Sequence, residues 1–293
     1  MPIQETLAQL ITAATGQPFH VAGWTGQAGG CINRAARVEG RDGRCFFVKV
    51  NDAARRSMFE AEAAGLLELA AAGAVRVPQP VGVGSTQTES FLILEYLPLK
   101  RGADAPAELG QQLAALHRTT RPNYGWQHDN TIGATPQRNG WCDDWVEFFR
   151  ERRLRYQLDL AAANGGERLQ ESGAELLERM AGLFTDYRPT ASLLHGDLWG
   201  GNAAATMDGE AVLFDPAVYF GDRETDLAMT ELFGGFPVRF HENYRDAWPL
   251  DSGYSVRKSL YNLYHVLNHF NLFGGAYAAQ AERMQRQLLS ELK

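Results

Sequence analysis

Asp208-Gly209, set between two short apolar segments, most narrows what this chain can fold into. An Asp-Gly pair so flanked signals a two-residue β-hairpin, because both central positions need positive φ. Folded about that pair, residue 207 meets 210 and, counting outward, Asn202 meets Asp215. That register predicts Cβ atoms about 5 Å apart. An amide oxygen and a carboxylate at one hairpin mouth can share a hard divalent cation. Asp197 stands just upstream, in His195-Gly196-Asp197-Leu198-Trp199-Gly200-Gly201-Asn202.

The 293 residues are enough for a two-lobed body with a sizeable core. A formal charge of −7 argues against a nucleic-acid surface as the main business, while leaving room for a local phosphate pocket. The start lacks the basic-then-apolar pattern of a signal peptide, and no apolar run approaches the length of a membrane span. Cys31, Cys45 and Cys142 are too few and scattered for a disulfide framework or a zinc site. A reduced, cytoplasmic setting is the expectation.

The periodicity predicts a helix over the first 20 or so residues, then strands around 21–24 and 35–38 flanking the turn Gly26-Gln27-Ala28-Gly29-Gly30. Asp42-Gly43 turns the chain into a strand over 45–50. A helix follows over 53–72, then an extended link at 77–80 and a buried strand at 91–97, stopped by Pro98. The remainder reads as mainly helical: 107–120, 141–163, 174–184, 256–270 and 276–292, with 124–139 loop-like. The expected fold is α+β and bilobal: an N-lobe (1–97) of antiparallel sheet with one main helix, and a larger, mostly helical C-lobe (98–293) carrying the catalytic hairpin. No repeat or second linker is evident, so the two lobes form one catalytic unit.

Lys49 lies in the apolar run Phe46-Phe47-Val48-Lys49-Val50, where an ammonium is costly to bury unless paired. A lysine pointing to water is the bland reading. With the hairpin downstream, a lysine paired with phosphates and a helix glutamate is favoured. Glu62 sits beside the apolar stripe of the next helix and is the expected partner; Glu60 is second choice. Gly29 and Gly30 would let backbone amides approach phosphate oxygens, although the turn matches neither G-x-G-x-x-G nor a Walker motif. Glu95, Tyr96 and Leu97 would offer backbone groups to an adenine. Asp197 is the expected proton acceptor, and His195 a brace for its loop. Trp199 suits either a packed core or a platform facing substrate. Asp226 is expected to bond loop backbone near Asp197. His265 and His269, four apart on a helix, could suggest a metal, but without H-E-x-x-H they read as members of a packed face.

The chain resembles the fructosamine kinase (ketosamine kinase) family, relatives of aminoglycoside phosphotransferases with a protein-kinase-like fold. The most specific segments are Leu194 to Asn202 and Asp215-Pro216-Ala217 through Gly221-Asp222-Arg223-Glu224-Thr225-Asp226 to Gly235-Phe236. Phe47-Val48-Lys49, Met58 to Glu62, Gly29 to Asn33, Leu94 to Leu97, and Asp129 to Gly133 with Asn139-Gly140-Trp141 extend it over nearly the whole chain. The resemblance implies ATP- and Mg²⁺-dependent phosphorylation of the 3-hydroxyl of ketoamines, either small adducts or glycated proteins. The unstable 3-phosphate then releases the amine, which is deglycation. By position, Asp197 would be the base, Asn202 and Asp215 the magnesium ligands, Lys49 with Glu62 the phosphate-positioning pair, and Trp199 the ketoamine contact. Arg34 follows Asn33 where many relatives carry an acidic or small residue.

Two other readings compete: an aminoglycoside- or choline-type kinase of the same fold, and a silent nucleotide-binding scaffold. The scaffold would require loss of Lys49, Asp197, Asn202 or Asp215, and all four are present. A protein-serine kinase is disfavoured, since no His-Arg-Asp, Asp-Phe-Gly or Ala-Pro-Glu occurs. A nucleic-acid or membrane partner is not expected, and the chain is expected to be a monomer or weak dimer.

Overall fold

The computed structural model describes residues 2–27, 32–100 and 104–292. In chain order they form α1 (Ile3–Thr15), β1 (Val21–Gln27), β2 (Arg34–Gly40), β3 (Cys45–Asp52), α2 (Arg56–Ala72), β4 (Pro80–Ser85) and β5 (Glu89–Glu95). Then come α3 (Leu109–His117), β6 (Thr120–Arg121), β7 (Asn130–Ile132), β8 (Thr135–Gln137), α4 (Trp145–Phe149), α5 (Tyr156–Ala163), α6 (Glu167–Arg179) and β9 (Ala191–Leu194). The chain closes with β10 (Ala203–Ala205), β11 (Ala211–Leu213), β12 (Tyr219–Gly221), α7 (Glu224–Leu232), α8 (Val238–Ala247), α9 (Tyr254–Phe273) and α10 (Tyr277–Glu291). The fold is mixed α+β. It divides into two units: Met1–Ala103 with Ala204–Pro216, and Asp104–Ala203 with Ala217–Lys293.

In the first unit, five antiparallel strands lie in the order β1-β2-β3-β5-β4. Strand side chains alternate faces. Phe46, Val48, Val50, Phe91 and Ile93 share one buried cluster with Leu7 and Ile11 of α1, so that helix covers their face. The intervening residues of β3, Lys49 among them, therefore face the other way, toward α2. The unit also takes in 204–216, which the sequence reading had placed with the C-lobe. Hydrogen bonds explain that grouping: Lys100 N donates to Ala205 O (2.8 Å), Met207 N to Pro98 O (3.1 Å) and Leu213 N to Arg76 O (3.0 Å).

Both Asp-Gly turns form, but neither with two residues. Gly40 N donates to Arg44 O (2.8 Å) while Gly43 N donates to Gly40 O (3.0 Å). Thr206, Gly209 and Glu210 repeat the pattern at 2.8 and 3.0 Å. Each is a three-residue loop in which only the glycine needs positive φ, 83° at Gly43 and 94° at Gly209. Thr206, not Met207, therefore meets Glu210, and the ladder shifts by one residue. The cross-strand opposition of Asn202 and Asp215 expected from a two-residue loop is corrected accordingly. β11 ends at Leu213, and Asp215 takes φ 57°, which no extended strand can hold.

In the second unit a small antiparallel sheet, β12-β9-β6, lies among helices. Every residue of β9 and β12 is buried. Around them pack Trp145, Phe148 and Phe149 of α4 and Tyr261 of α9. The segment expected as one helix over 141–163 begins instead at Trp145, where Asp144 caps it by accepting from Glu147 N (2.7 Å). Residues Arg150–Arg155 form a π-helical turn, which carries Arg153 into the interior at 0% exposure. The region 124–139, expected as loop, holds the β7–β8 ribbon. α7 and α8 were not foreseen as helices, because α7 is buried from Glu224 through Thr230 and so shows no one-sided stripe, while α8 buries only Phe240 and Tyr244.

Candidate active site

In the first unit, β3 turns Lys49 toward α2, where the helical period brings Glu62 to meet it. Lys49 Nζ lies 2.5 Å from Glu62 Oε1 and 2.6 Å from Asp215 Oδ1. The lysine is 5% exposed. Burial works against the ammonium, but Asp215 and Glu62 outweigh it and raise the Lys49 pKa above its ordinary value. Burial also pushes the Glu62 carboxyl up; Lys49 opposes this and Asp215 adds to it. The second choice, Glu60, pairs instead with Arg56 at 2.8 Å.

Asp215 is the single non-glycine residue with positive φ among the described residues. Such a conformation costs on the order of 1 kcal/mol and persists where the surroundings over-determine it. Here the bond to Lys49 and the strand behind it do so. Its side chain remains 43% accessible, so a carboxylate pinned by a buried lysine still reaches solvent.

At the end of β5, Glu95 N donates to Gln79 O (2.9 Å) and the Glu95 carboxylate pairs with Arg76. The Glu95 amide is thus spent within the sheet. Tyr96 takes the Arg37 guanidinium over its ring at 5.3 Å. Leu97 follows in irregular structure. Gly29, Gly30 and Cys31 lie outside the described residues; Asn51 Nδ2 donates to Asn33 Oδ1 (2.7 Å) and Ile32 O (3.2 Å). Arg34 pairs with Glu89.

In the second unit, buried β9 delivers His195-Gly196-Asp197 directly from its end. Gly196 has φ 81°, and a Cβ there would stand 2.0 Å from Ala217 O, so only glycine fits the turn. Asp226, at the start of α7, accepts from His195 N (2.7 Å) and Gly196 N (2.9 Å), which meets the expectation for that residue. His117 joins Asp226 Oδ2 (3.1 Å) to the Tyr244 hydroxyl (2.8 Å). Burial alone would favour neutral Asp226. The His117 interactions, with His195 and the Gly196 amide, outweigh it and hold the carboxyl below its ordinary value. His195 Nδ1 accepts from Asp197 N (3.3 Å), the brace expected of it.

Asn202 Nδ2 donates to Asp197 O (2.8 Å) and Oδ2 (3.2 Å). This orients the Asn202 amide, with its nitrogen committed to Asp197 and its oxygen on the other side. Trp199 is 41% exposed, so it is not a packed core residue. Its indole lies across Gly201, where a Cβ would come within 2.2 Å of the ring. Gly200 in turn approaches Gly234 and Gly235, a Cβ on it standing 2.9 Å from Gly235 Cα.

Sequence reading missed a buried polar chain in this unit. Arg153 donates to Asn139 Oδ1 (2.6 Å), and Asn139 Nδ2 and Gln137 Nε2 both donate to Asn130 Oδ1 (2.7 and 2.8 Å). Tyr264 OH closes the chain on Gln137 Oε1 (2.8 Å). Tyr264 lies 127 residues from its partner Gln137, and only the Asn-rich ribbon hinted at the others. His265 is packed within α9 at 4% exposure, and His269 Nδ1 donates to His265 O (2.8 Å).

A family model described as fructosamine kinase matches residues 3–291. A probable ketoamine kinase of Synechocystis sp. is 49% identical over 288 residues, spanning 97% of this chain and 96% of that protein. The chloroplastic protein-ribulosamine 3-kinase of Arabidopsis thaliana is 41% identical over 269 residues, 90% of this chain and 82% of that protein. The crystal structure of a protein provisionally named fructosamine-3-kinase, from Haemophilus somnus, is similar with a TM-score of 0.88 at 30% identity, covering 97% of this chain and 96% of that one. The chain belongs to the fructosamine kinase family and is a phosphotransferase that acts on a hydroxyl group.

Proposed function

We propose that the protein transfers the γ-phosphoryl group of ATP to the 3-hydroxyl of a ketoamine, a sugar adduct of an amine or of a protein lysine, and thereby starts deglycation. The observation that carries this reading is the fixed loop at the end of β9: Asp226 holds the His195 and Gly196 amides, and Asn202 is bonded to Asp197. In this reading Asp197 accepts the proton of the sugar hydroxyl as the phosphoryl group arrives. It needs hydrogen-bond reach more than a raised pKa, because such transfer is mostly positioning and charge neutralisation. Lys49, kept charged by Glu62 and Asp215, would hold the α- and β-phosphates. Tyr96 and Leu97 would present backbone groups to the base, and Gly29 and Gly30 would cradle phosphate oxygens. Trp199, exposed across Gly201, would face the sugar.

The donor chemistry fits Mg²⁺. Asn202 and Asp215 would hold it through an amide oxygen and a carboxylate, the hard oxygen ligands such an ion takes alongside substrate phosphates. No group of three or more His, Cys, Asp and Glu able to hold a metal occurs among the described residues. When bound, the ion would neutralise charge on the β- and γ-phosphates.

No helix among the described residues is long and apolar enough to cross a membrane. We place the protein in the cytoplasm with small ketoamines or glycated proteins as its partners. Phosphorus NMR of products from ribulosyl-lysine, fructosyl-lysine, kanamycin and choline tests the function. Phosphorylation of a ketoamine is expected; turnover confined to kanamycin or choline would replace this reading with another of the same fold.

A further inference from the structure

The ends of three helices in the second unit bring four rings together. His269 of α9 lies 4.8 Å from Phe233 just after α7, 5.6 Å from Phe273 and 5.1 Å from Tyr277 of α10, centroid to centroid. Phe233 is 40% exposed and Phe273 53%, so the group opens to solvent rather than filling a core. Aromatic rings grouped at the surface, rather than scattered singly, are the kind of feature that marks a ligand site. The His269 tautomer is set: Nδ1–H donates to His265 O at 2.8 Å, which leaves Nε2 as an acceptor in the neutral ring. Burial lowers the His269 pKa, with the bond to His265 opposing, so the ring is neutral at pH 7.

This bay adjoins the loop that carries Asp197. A Cβ on Gly200 would meet Gly234 O and Gly235 Cα at 2.9 Å. Phe233 is the residue before Gly234, and Trp199 the residue before Gly200. The Cα atoms of Phe233 and Gly235 are two peptide steps apart, at most about 7 Å. The Trp199 loop and the bay are therefore neighbours, and a substituent that leaves a sugar at Trp199 on the Gly200 side would reach the bay. In a ketoamine that substituent begins with a secondary amine, protonated at neutral pH, followed by an alkyl arm. Aromatic faces attract such a cation, and a neutral imidazole nitrogen can accept its N–H.

We propose that Phe233, His269, Phe273 and Tyr277 form the subsite for the amine arm of the acceptor, recognising an alkylammonium beside the sugar. The proposal rests on the ketoamine kinase reading and deepens it. It is tested with two acceptors of equal length, ribulosyl-lysine and an ether analogue with oxygen in place of the amine nitrogen. Phe233→Ala and His269→Leu are expected to raise KM for ribulosyl-lysine about tenfold while kcat and KM for ATP stay unchanged. KM for the ether analogue should not move. Phe273→Ala, at an exposed position, should act in the same direction and guards against misfolding of the other two. Unchanged KM for ribulosyl-lysine in folded variants, or an equal rise on both acceptors, overturns the subsite. A wild-type protein that phosphorylates neither acceptor overturns the ketoamine reading itself.

Discussion

Asp215 and Lys49, 166 residues apart in sequence, meet at 2.6 Å within one unit. The carboxylate is held in a left-handed backbone conformation and stays half open to solvent, whereas the ammonium is buried. One positive charge thus serves two carboxylates. Lys49→Met removes it and leaves Glu62 and Asp215 facing each other. Turnover should fall at least about a hundredfold, as when a preorganised charge-stabilising group is lost. Glu62→Gln, which leaves the Asp215 contact in place, should cost less. Steady-state kinetics in ATP separate the two, and equal losses would contradict the division of roles.

The loop at the end of β9 depends on Asp226. Asp226→Ala leaves two buried amides without an acceptor and should cost about 3 kcal/mol or more of stability at pH 7. The Asp226 carboxyl sits below its ordinary value, so its contribution is present above the unfolded pKa of about 3.9 and is lost as pH falls through the folded value. Urea denaturation across pH 2 to 7 should therefore show a flatter acid limb in Asp226→Asn than in the parent.

His265 has the same sign for a different reason. Burial pushes the imidazole down to about 3, and its Nδ1 has no hydrogen-bond partner among the described residues. The unfolded chain binds a proton near pH 6.5 that the folded chain refuses, so stability drops as pH falls below that point. Between pH 7 and pH 5 the loss amounts to roughly 2 kcal/mol. His265→Leu should remove about that much of the pH dependence, measured by urea denaturation at both pH values.

Gly201→Ala tests the Trp199 platform. The added Cβ meets only the far edge of the indole, at 2.2 Å, and the ring is part-exposed, so it can swing away at little cost to stability. KM for the acceptor should rise severalfold while KM for ATP and the melting temperature hold. A shift in KM for ATP alone would detach Trp199 from the acceptor.

Lys49 with Glu62 was legible because strand and helix periods each place one residue, and a buried ammonium needs a carboxylate nearby. Asp226 was legible from the charged cluster Asp222-Arg223-Glu224-Thr225-Asp226 ahead of Leu227, which offers acceptors to a loop rich in backbone amides, although the helix it begins was not foreseen. The hairpin was legible as an element but not in register: Asp-Gly serves two- and three-residue loops alike, and the choice shifts every cross-strand partner by one. The buried chain from Arg153 to Tyr264 was not legible, since a π-helical turn brings the arginine inward and nothing local announces it. The bay around His269 escaped for a similar reason. Phe233 lies 36 residues before His269, and two histidines four apart on one helix read as a packed face.

Rapid-quench measurement of a single turnover, with saturating ATP and a ketoamine, tests most directly that Asp197 is the base. Asp197→Asn is expected to slow phosphoryl transfer roughly 10²–10⁴-fold while ATP binds with its parental affinity. A variant that transfers phosphate at the parental rate would show that the proton goes elsewhere.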